Sequence, residues 1–259
     1  MRFSILIYLI LGSICSNAQN LISNPSFEDY SDCPQNSDKV YLATGWQKLA
    51  YTSDYYNCDY QASQIDTMGQ DGTGYTGVSC LRPDWESDYR EYIAQHLGQA
   101  LAAGTEYYVE FWVKLAGDKC VGTDAFGALF TVGEPDMVDA WTSLLPYTPQ
   151  VENQQYNQID NTWKWRKICG TFIAEGGENF VTFGSFKSDH ESTFNLVDTV
   201  SCTGPTGVHW SYILIDNILV TSDLSFANTC DDSSTYSIPE NIVDPYANES
   251  SNNGNMGPE

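Results

Sequence analysis

Positive charge is scarce in this chain. Eleven Lys and Arg stand against 34 Asp and Glu, a formal net charge of −23 over 259 residues. Nucleic acids and anionic membrane surfaces are held by Lys/Arg patches, so this balance argues against both as partners. Histidine is scarcer still, three in all, with no His-Glu-x-x-His pattern. A Gly-x-Ser-x-Gly elbow, a phosphate-cradling glycine loop and a dinucleotide fingerprint are all missing. The one tight acid–histidine cluster, Asp189-His190-Glu191, lies in a predicted loop. A histidine beside carboxylates is ordinarily solvated or ion-paired, so the chain reads as non-catalytic. A glycosidase needs two carboxylates across a cleft, a pair that sequence alone neither supports nor excludes here.

Long apolar runs are also lacking. The stretch Phe3 to Leu11 is too short to span a bilayer. With Arg2 before it and Ser16-Asn17-Ala18 after it, residues 1–18 read as a secretory signal cleaved before Gln19. Bulky Ile14 makes a poor lipobox before Cys15. No later segment resembles a transmembrane helix, so the expectation is an exported protein, secreted or held at the cell surface, without membrane insertion. Without Cys15 seven cysteines remain and none forms a Cys-x-x-Cys pair, which removes zinc-ribbon and thioredoxin-like readings. Disulfides are the default in an oxidising compartment, and the odd count leaves at least one thiol free or paired with another chain. Cys33 and Cys58, flanking the early loop region, are the first candidate bridge. From Asp231 the chain turns polar, and residues 231–259 are predicted to be a disordered tail.

What the chain does have is strand periodicity and aromatic residues, 14% of its length. In Thr105 to Leu115, Tyr107, Val109, Phe111, Val113 and Leu115 point one way and form the natural core face. Tyr108, Glu110, Trp112 and Lys114 point the other way. Residues Ala125 to Val132, Trp163 to Ile173, Asn179 to Phe186 and His209 to Val220 are further strands, with Gly176-Gly177 as a hairpin break. Leu97 to Gly104 fits a strand followed by a turn. Short strands without amphipathic helices predict an all-β, two-sheet antiparallel sandwich over residues 19–230. The bookends are Asn24-Pro25-Ser26-Phe27-Glu28 and the apolar strand Tyr212 to Val220, interrupted by Asp216-Asn217. A carboxylate in a buried strand must be paired, hydrogen-bonded or bound to a cation, and Glu28 is a candidate to share one.

Asn24 to Glu28, Gly45-Trp46 and Tyr212 to Val220 together resemble the galactose-binding-like jelly rolls that include many carbohydrate-binding modules. The stretches Arg90 to Ile93, Tyr107 to Phe111, Leu145 to Pro149 and Trp165 to Phe172 are similar to an uncharacterised group of secreted and surface proteins of Bacteroidota-type bacteria. The resemblance covers roughly residues 21–222. It departs in Asn217, where a second acidic residue is often seen, and in the number of cysteines. It implies a jelly roll, a structural calcium near Glu28 and Asp216, and a glycan as ligand.

Sugar sites use an aromatic ring as a platform for the apolar C–H face, flanked by carboxylates and amides for the hydroxyls. Two clusters fit: Tyr108, Glu110 and Trp112 on one outward strand face, and Trp85 with Tyr89 among acidic residues. Trp163 and Trp165 are expected to pack. The functional expectation is non-catalytic glycan binding at the cell exterior. The runner-up is a structural or adhesive surface protein that binds another protein, and a glycoside-active hydrolase comes third. A hydrolase would show itself by a cleft with perturbed carboxylates.

Overall fold

The computed structural model describes residues 19–50, 52–60, 68–82, 88–136, 144–197, 210–230 and 242–243. The signal segment, Trp85, His209 and most of the tail lie outside the described residues. Among the described residues, ten short strands form two layers and three more form a small ribbon. The first layer, sheet I, has the order β1 (Gln47–Ala50), β4 (Tyr92–His96), β10 (Phe180–Gly184), β7 (Gly127–Thr131), β8 (Val151–Glu152). The second, sheet II, runs β2 (Asp54–Tyr56), β3 (Tyr75–Leu81), β12 (Ser211–Thr221), β5 (Glu106–Leu115), β9 (Arg166–Ile173). A small ribbon joins β6 (Val121–Thr123), β11 (Phe194–Leu196) and β13 (Ile242–Val243). The last of these lies within the stretch read as tail and pairs with β11.

Every pairing is antiparallel. The strands β3, β4, β5, β7, β9, β10 and β12 switch sheet at each step. That crossing pattern makes the sandwich a jelly roll. It also corrects one expectation: Gly176-Gly177 does not close a hairpin, because β9 pairs with β5 while β10 pairs with β4 and β7. The turn carries the chain from one layer to the other.

Period-2 patterning explains the core. Tyr107, Val109, Phe111, Val113 and Leu115 of β5 all face inward, with Val78 of β3 and Ile213 and Ile215 of β12 beside them. They meet Ile93, Ala128, Phe130, Val181 and Phe183 of sheet I. Phe111 packs on Phe126 and Phe183 at 5.7 and 5.4 Å between ring centroids. Strand β3, YTGVSCL, was not among the sequence-based strands because Gly77 and small polar residues blur its alternation. Gly77 is required by packing: a Cβ there would lie 2.3 Å from the Tyr212 ring on the neighbouring strand.

The bookends meet, though the opening segment is a series of bends and not a strand. Leu21 donates its N–H to the Val220 carbonyl at 2.8 Å, and Ile218 donates to Pro25 at 3.1 Å. Asn24 turns the chain at φ 50° and holds Asp29 and Thr44 through its side chain. Gly45, at φ +86°, delivers Trp46 onto Phe27, with ring centroids 4.7 Å apart and the indole N–H on the Asn24 carbonyl.

Cysteine pairing follows the same frame. Cys33 bonds Cys58 as expected, Cys169 bonds Cys230, and Cys120 is also in a disulfide. Cys80 is the free thiol among the described residues, and burial pushes its ionisation well above the usual range.

Replacing Gly77 with Ala is expected to cost about 1–3 kcal/mol through overpacking against Tyr212. Chemical denaturation checks this, and an unchanged midpoint would refute the packing account.

Candidate functional site

Sheet II has an outer face as well as a core face, and the strand registers place its residues in rows. Tyr56 lies opposite Tyr75, Ser79 opposite Tyr212, Leu214 opposite Lys114, and Asp216 opposite Trp112. One half of this face is roofed. A 3₁₀ segment, Leu224–Thr229, starts on the side chain of Asp223 and crosses the start of β5, tethered by Cys169–Cys230. Its Phe226 stacks on Tyr108 at 6.4 Å, and Thr229 accepts from Lys167 Nζ at 2.7 Å.

That roof lies over the part of β5 that carries two of the predicted ligand residues. Tyr108 is fully buried and donates to Glu110 Oε2 at 2.6 Å, and Glu110 also pairs with Lys167 at 3.4 Å. Both are packed under the C-terminal segment because the disulfide draws it over them. Trp112 is half-buried in the neighbouring row.

The other half is aromatic: Tyr56 and Tyr75 are buried at 2% exposure each and Tyr212 at 8%, and Tyr60, Trp165 and Trp210 form a partly exposed rim. Tyr60 stacks on Tyr56 at 6.0 Å, Tyr56 on Tyr75 at 5.0 Å, and Tyr75 meets the edge of Trp165 at 6.2 Å. Tyr212 and Leu214 complete the floor, with Trp210 half-buried beside them. Trp165 packs as expected, but on this outer face. Trp163 does not pack: it is 89% exposed in the turn before β9.

At the far end of the strip lies a pocket lined by Thr52, Asp54, Ser79, Arg82, Tyr89, Glu91, Trp210 and Tyr212. Tyr212 donates to Asp54 Oδ2 at 2.6 Å. Glu91 Oε1 accepts from Thr52 and Tyr89, both at 2.8 Å, and Oε2 accepts from the Ser79 N–H at 2.9 Å. Burial raises both carboxyls above their ordinary range, and these hydrogen bonds pull the other way. The Arg82 guanidinium lies over the rings of Tyr89 and Trp210, at 5.0 and 4.5 Å. Of the second predicted cluster, Tyr89 is therefore a pocket residue. Asp54, Glu91, Trp210 and Tyr212 were not singled out because they come from three strands or strand ends distant in sequence.

The predicted ion site is a loop clamp. Asp216 Oδ2 accepts the N–H groups of Gln70 and Asp71 at 2.5 and 3.0 Å, and Oδ1 accepts that of Asn217 at 2.6 Å. Glu28 Oε1 accepts those of Thr73 and Gly74 at 2.7 and 2.6 Å. Ser26 donates to Asp71 at 2.9 Å. Burial outweighs the hydrogen bonds at Asp216 and pushes its carboxyl up to about 8. Among the described residues no three His, Cys, Asp or Glu side chains converge as a metal cluster.

The Asp189-His190-Glu191 cluster is structural in its acids. Asp189 pairs with fully buried Arg90 at 2.6 Å, and Glu191 accepts from Ser188. His96 meets Phe180 edge-on at 4.9 Å.

No family model matches the sequence, and no curated protein does. Solved structures with similar architecture include the CBM22-1 xylan-binding domain of Xyn10C from Paenibacillus barcinonensis. It is 13% identical, with 79% of this chain matched to 94% of that one at a TM-score of 0.43. The K1 cleaved adhesin domain of Lys-gingipain from Porphyromonas gingivalis W83 is 15% identical, over 75% of this chain and 94% of its own, at 0.38. TmCBM61, solved with beta-1,4-galactotriose, is 13% identical over 78% and 97%, at 0.32. These are likenesses of general architecture, and no residue role is carried over from them.

Lys114, on the outer side of sheet II, is 3% exposed, with its amine 5.1 Å from the centre of the Trp165 ring. Burial pushes it down to about 8 from an ordinary value of 10.5. The unfolded chain then holds more protons than the folded one between those values, so this group adds stability as pH rises from 8 to 10.5. Relative to Lys114→Met, the wild type should gain unfolding free energy across that window. A constant difference between the two in denaturant titrations would contradict it.

Proposed function

We propose that the protein is a non-catalytic carbohydrate-binding module outside the cell, taking a glycan at the partly exposed rim of Tyr60, Trp165 and Trp210 on the outer side of sheet II. The observation that supports this reading is the partly exposed rim of Tyr60, Trp165 and Trp210 around the buried rings of Tyr56, Tyr75 and Tyr212, beside a polar pocket that Trp210 lines. Sugar rings present apolar C–H faces between hydroxyls. Partly exposed rings beside fixed hydrogen-bonding groups suit both, in the manner of an apolar site with a few placed polar groups. Trp112 borders this surface, and Tyr89 belongs to its pocket. Disulfides at Cys33–Cys58 and Cys169–Cys230 suit an oxidising exterior.

A hydrolase reading would use Asp54 and Glu91, whose carboxyls are perturbed. Their geometry favours a positioning role. Asp54 accepts from the Asp38 N–H at 2.6 Å and from two tyrosines, and each Glu91 oxygen accepts from a protein donor. Oxygens so engaged orient hydroxyls and are poorly placed to exchange protons with a substrate. The adhesive alternative draws on Trp163 and Met68, 89% and 71% exposed, which offer a second protein apolar contacts.

A structural calcium belongs to the same proposal. Glu28 and Asp216 would hold it together with backbone carbonyls, hard oxygen donors of the kind calcium takes. A bound ion would fix the 69–74 loop and with it the nearby edge of the aromatic face.

Two measurements test this reading. On a glycan array, full-length protein is expected to bind a defined set of glycans, and Trp165→Ala to weaken that binding by about 30-fold, as loss of a central aromatic contact does. A silent array from folded protein would transfer the reading to protein binding. Chelator is expected to lower the melting temperature, restored by added calcium; an unchanged transition would remove the ion from the account.

A further inference from the structure

A groove of about 470 Å³ lies where β7 and β9 end, at the opposite end of β9 from Trp165. Phe130 and Phe172 form its floor, with ring centroids 4.7 Å apart. Val132 and Ile173 line it at 75% and 68% exposure, among the most exposed large apolar side chains of the described residues. Its charges are of one sign. Glu134, Asp136, Glu175 and Glu178 line it, no Lys, Arg or His does, and none of the four is in an ion pair among the described residues. Glu178 is buried and takes the N–H groups of Glu175 and Gly176, both at 2.8 Å, whereas Glu134, Asp136 and Glu175 are exposed.

Both sheets have an edge here, and the two edges differ. On β7 the N–H and carbonyl of Phe130 are taken by the side-chain amide of Gln150, at 2.8 and 3.0 Å, which stands in for a neighbouring strand. On β9 nothing does the same. Ala174 turns its N–H and carbonyl toward the chain before β5, bonding Thr105 and Gly104 at 3.0 and 2.8 Å. Alternation along an antiparallel strand then turns the N–H and carbonyl of Ile173 and of Thr171 the other way, to the outer edge of the sheet. Among the described residues no strand or side chain bonds them there, because β9 pairs with β5 alone. Free edges are ordinarily blunted by a charge, a proline or a cover. Thr171 and Ile173 are exposed and uncharged.

We propose that the free edge of β9 docks an extended segment of a partner protein in which apolar residues alternate with Lys or Arg. The segment adds a strand by bonding the backbone of Thr171 and Ile173, as peptides do when they extend a sheet. Its apolar side chains pack on Val132 and Ile173, and its cations meet Glu134, Asp136 and Glu175. Charge selects this occupant over a second copy of the chain, which would bring the same acidic groove and a further net charge of −23 against it. The docking edge is independent of the glycan reading, which concerns the rim around Trp165 at the other end of the strand.

The test selects a displayed library of random decapeptides on the full-length protein, then titrates the recovered peptides by fluorescence anisotropy. Ile173→Pro is the informative variant. It removes one outward N–H and breaks no existing hydrogen bond, a change that edge strands accept. The recovered peptides should alternate apolar and basic residues. Ile173→Pro should weaken them at least about tenfold, the equivalent of one hydrogen bond, with the melting temperature kept. Glu134→Gln combined with Glu175→Gln should weaken them about fivefold, the equivalent of two exposed charge pairs. Thr171→Pro blocks the same edge one outward residue earlier and decides the matter if Ile173→Pro fails to fold. Peptides that ignore both prolines, peptides without basic residues, or no peptides at all would overturn the proposal. Self-association in sedimentation that either proline abolishes would make a second copy the occupant and overturn it too. Loss of glycan binding in a folded Ile173→Pro protein would assign the groove to the sugar site instead. Peptide binding lost with glycan binding unchanged is the expected result.

Discussion

An ionisable carboxylate inside an apolar strand has to be answered, and the answer given to Asp216 organises much of this molecule. Its two oxygens take N–H groups from Gln70, Asp71 and Asn217. Asn217, at φ 46°, sits in the register shift that breaks the β12–β5 pairing between Asp216 and Leu219. The polar interruption is thus a β-bulge, which turns the carboxylate toward the loop and not toward the next strand. Glu28 takes the other end of the same loop. First segment, last strand and the loop before β3 are closed into one unit by two side chains.

That closure positions β3 beside β12, and the functional face follows. Tyr75 begins β3 directly after the clamped loop, opposite Tyr56, and stacks between Tyr56 and Trp165. Gly77 leaves room for Tyr212 to lie across the strand. The same sheet is covered at its other end by Leu224–Thr229, where Phe226 seals Tyr108. One half of the outer side of the sheet is therefore sealed by the segment that the Cys169–Cys230 bridge ties down, and the other half buries Tyr56, Tyr75 and Tyr212 in an aromatic cluster rimmed by Tyr60, Trp165 and Trp210.

Perturbed carboxyls are often taken as signs of catalysis. In this pocket their surroundings argue for orientation. Asp54 and Glu91 are raised by burial, yet donors surround them, and three of the side-chain donors, the hydroxyls of Thr52, Tyr89 and Tyr212, belong to residues that line the cavity. Fixing the direction of a hydroxyl converts an ambiguous group into an acceptor of known geometry. Pre-organisation of that kind lowers the entropy lost when a ligand is bound.

The sequence by itself determined the class of fold, the inward face of β5, the meeting of the two bookends and the Cys33–Cys58 bridge. Each depends on local patterning or on short-range chemistry: a period of two, a buried carboxylate needing partners, two cysteines around one loop. Strand β3 escaped because its glycine and serine serve a neighbour's ring instead of its own alternation. The burial of Tyr108 and Glu110 was not readable, since it depends on where a segment more than a hundred residues later is tied down. Nor was the pocket readable, because it gathers Asp54, Ser79, Glu91 and Trp210 from separate strands and strand ends. Only tertiary structure decides which outward side chains are covered and which polar atoms are left without a partner, because both are set by contacts between residues distant in the chain.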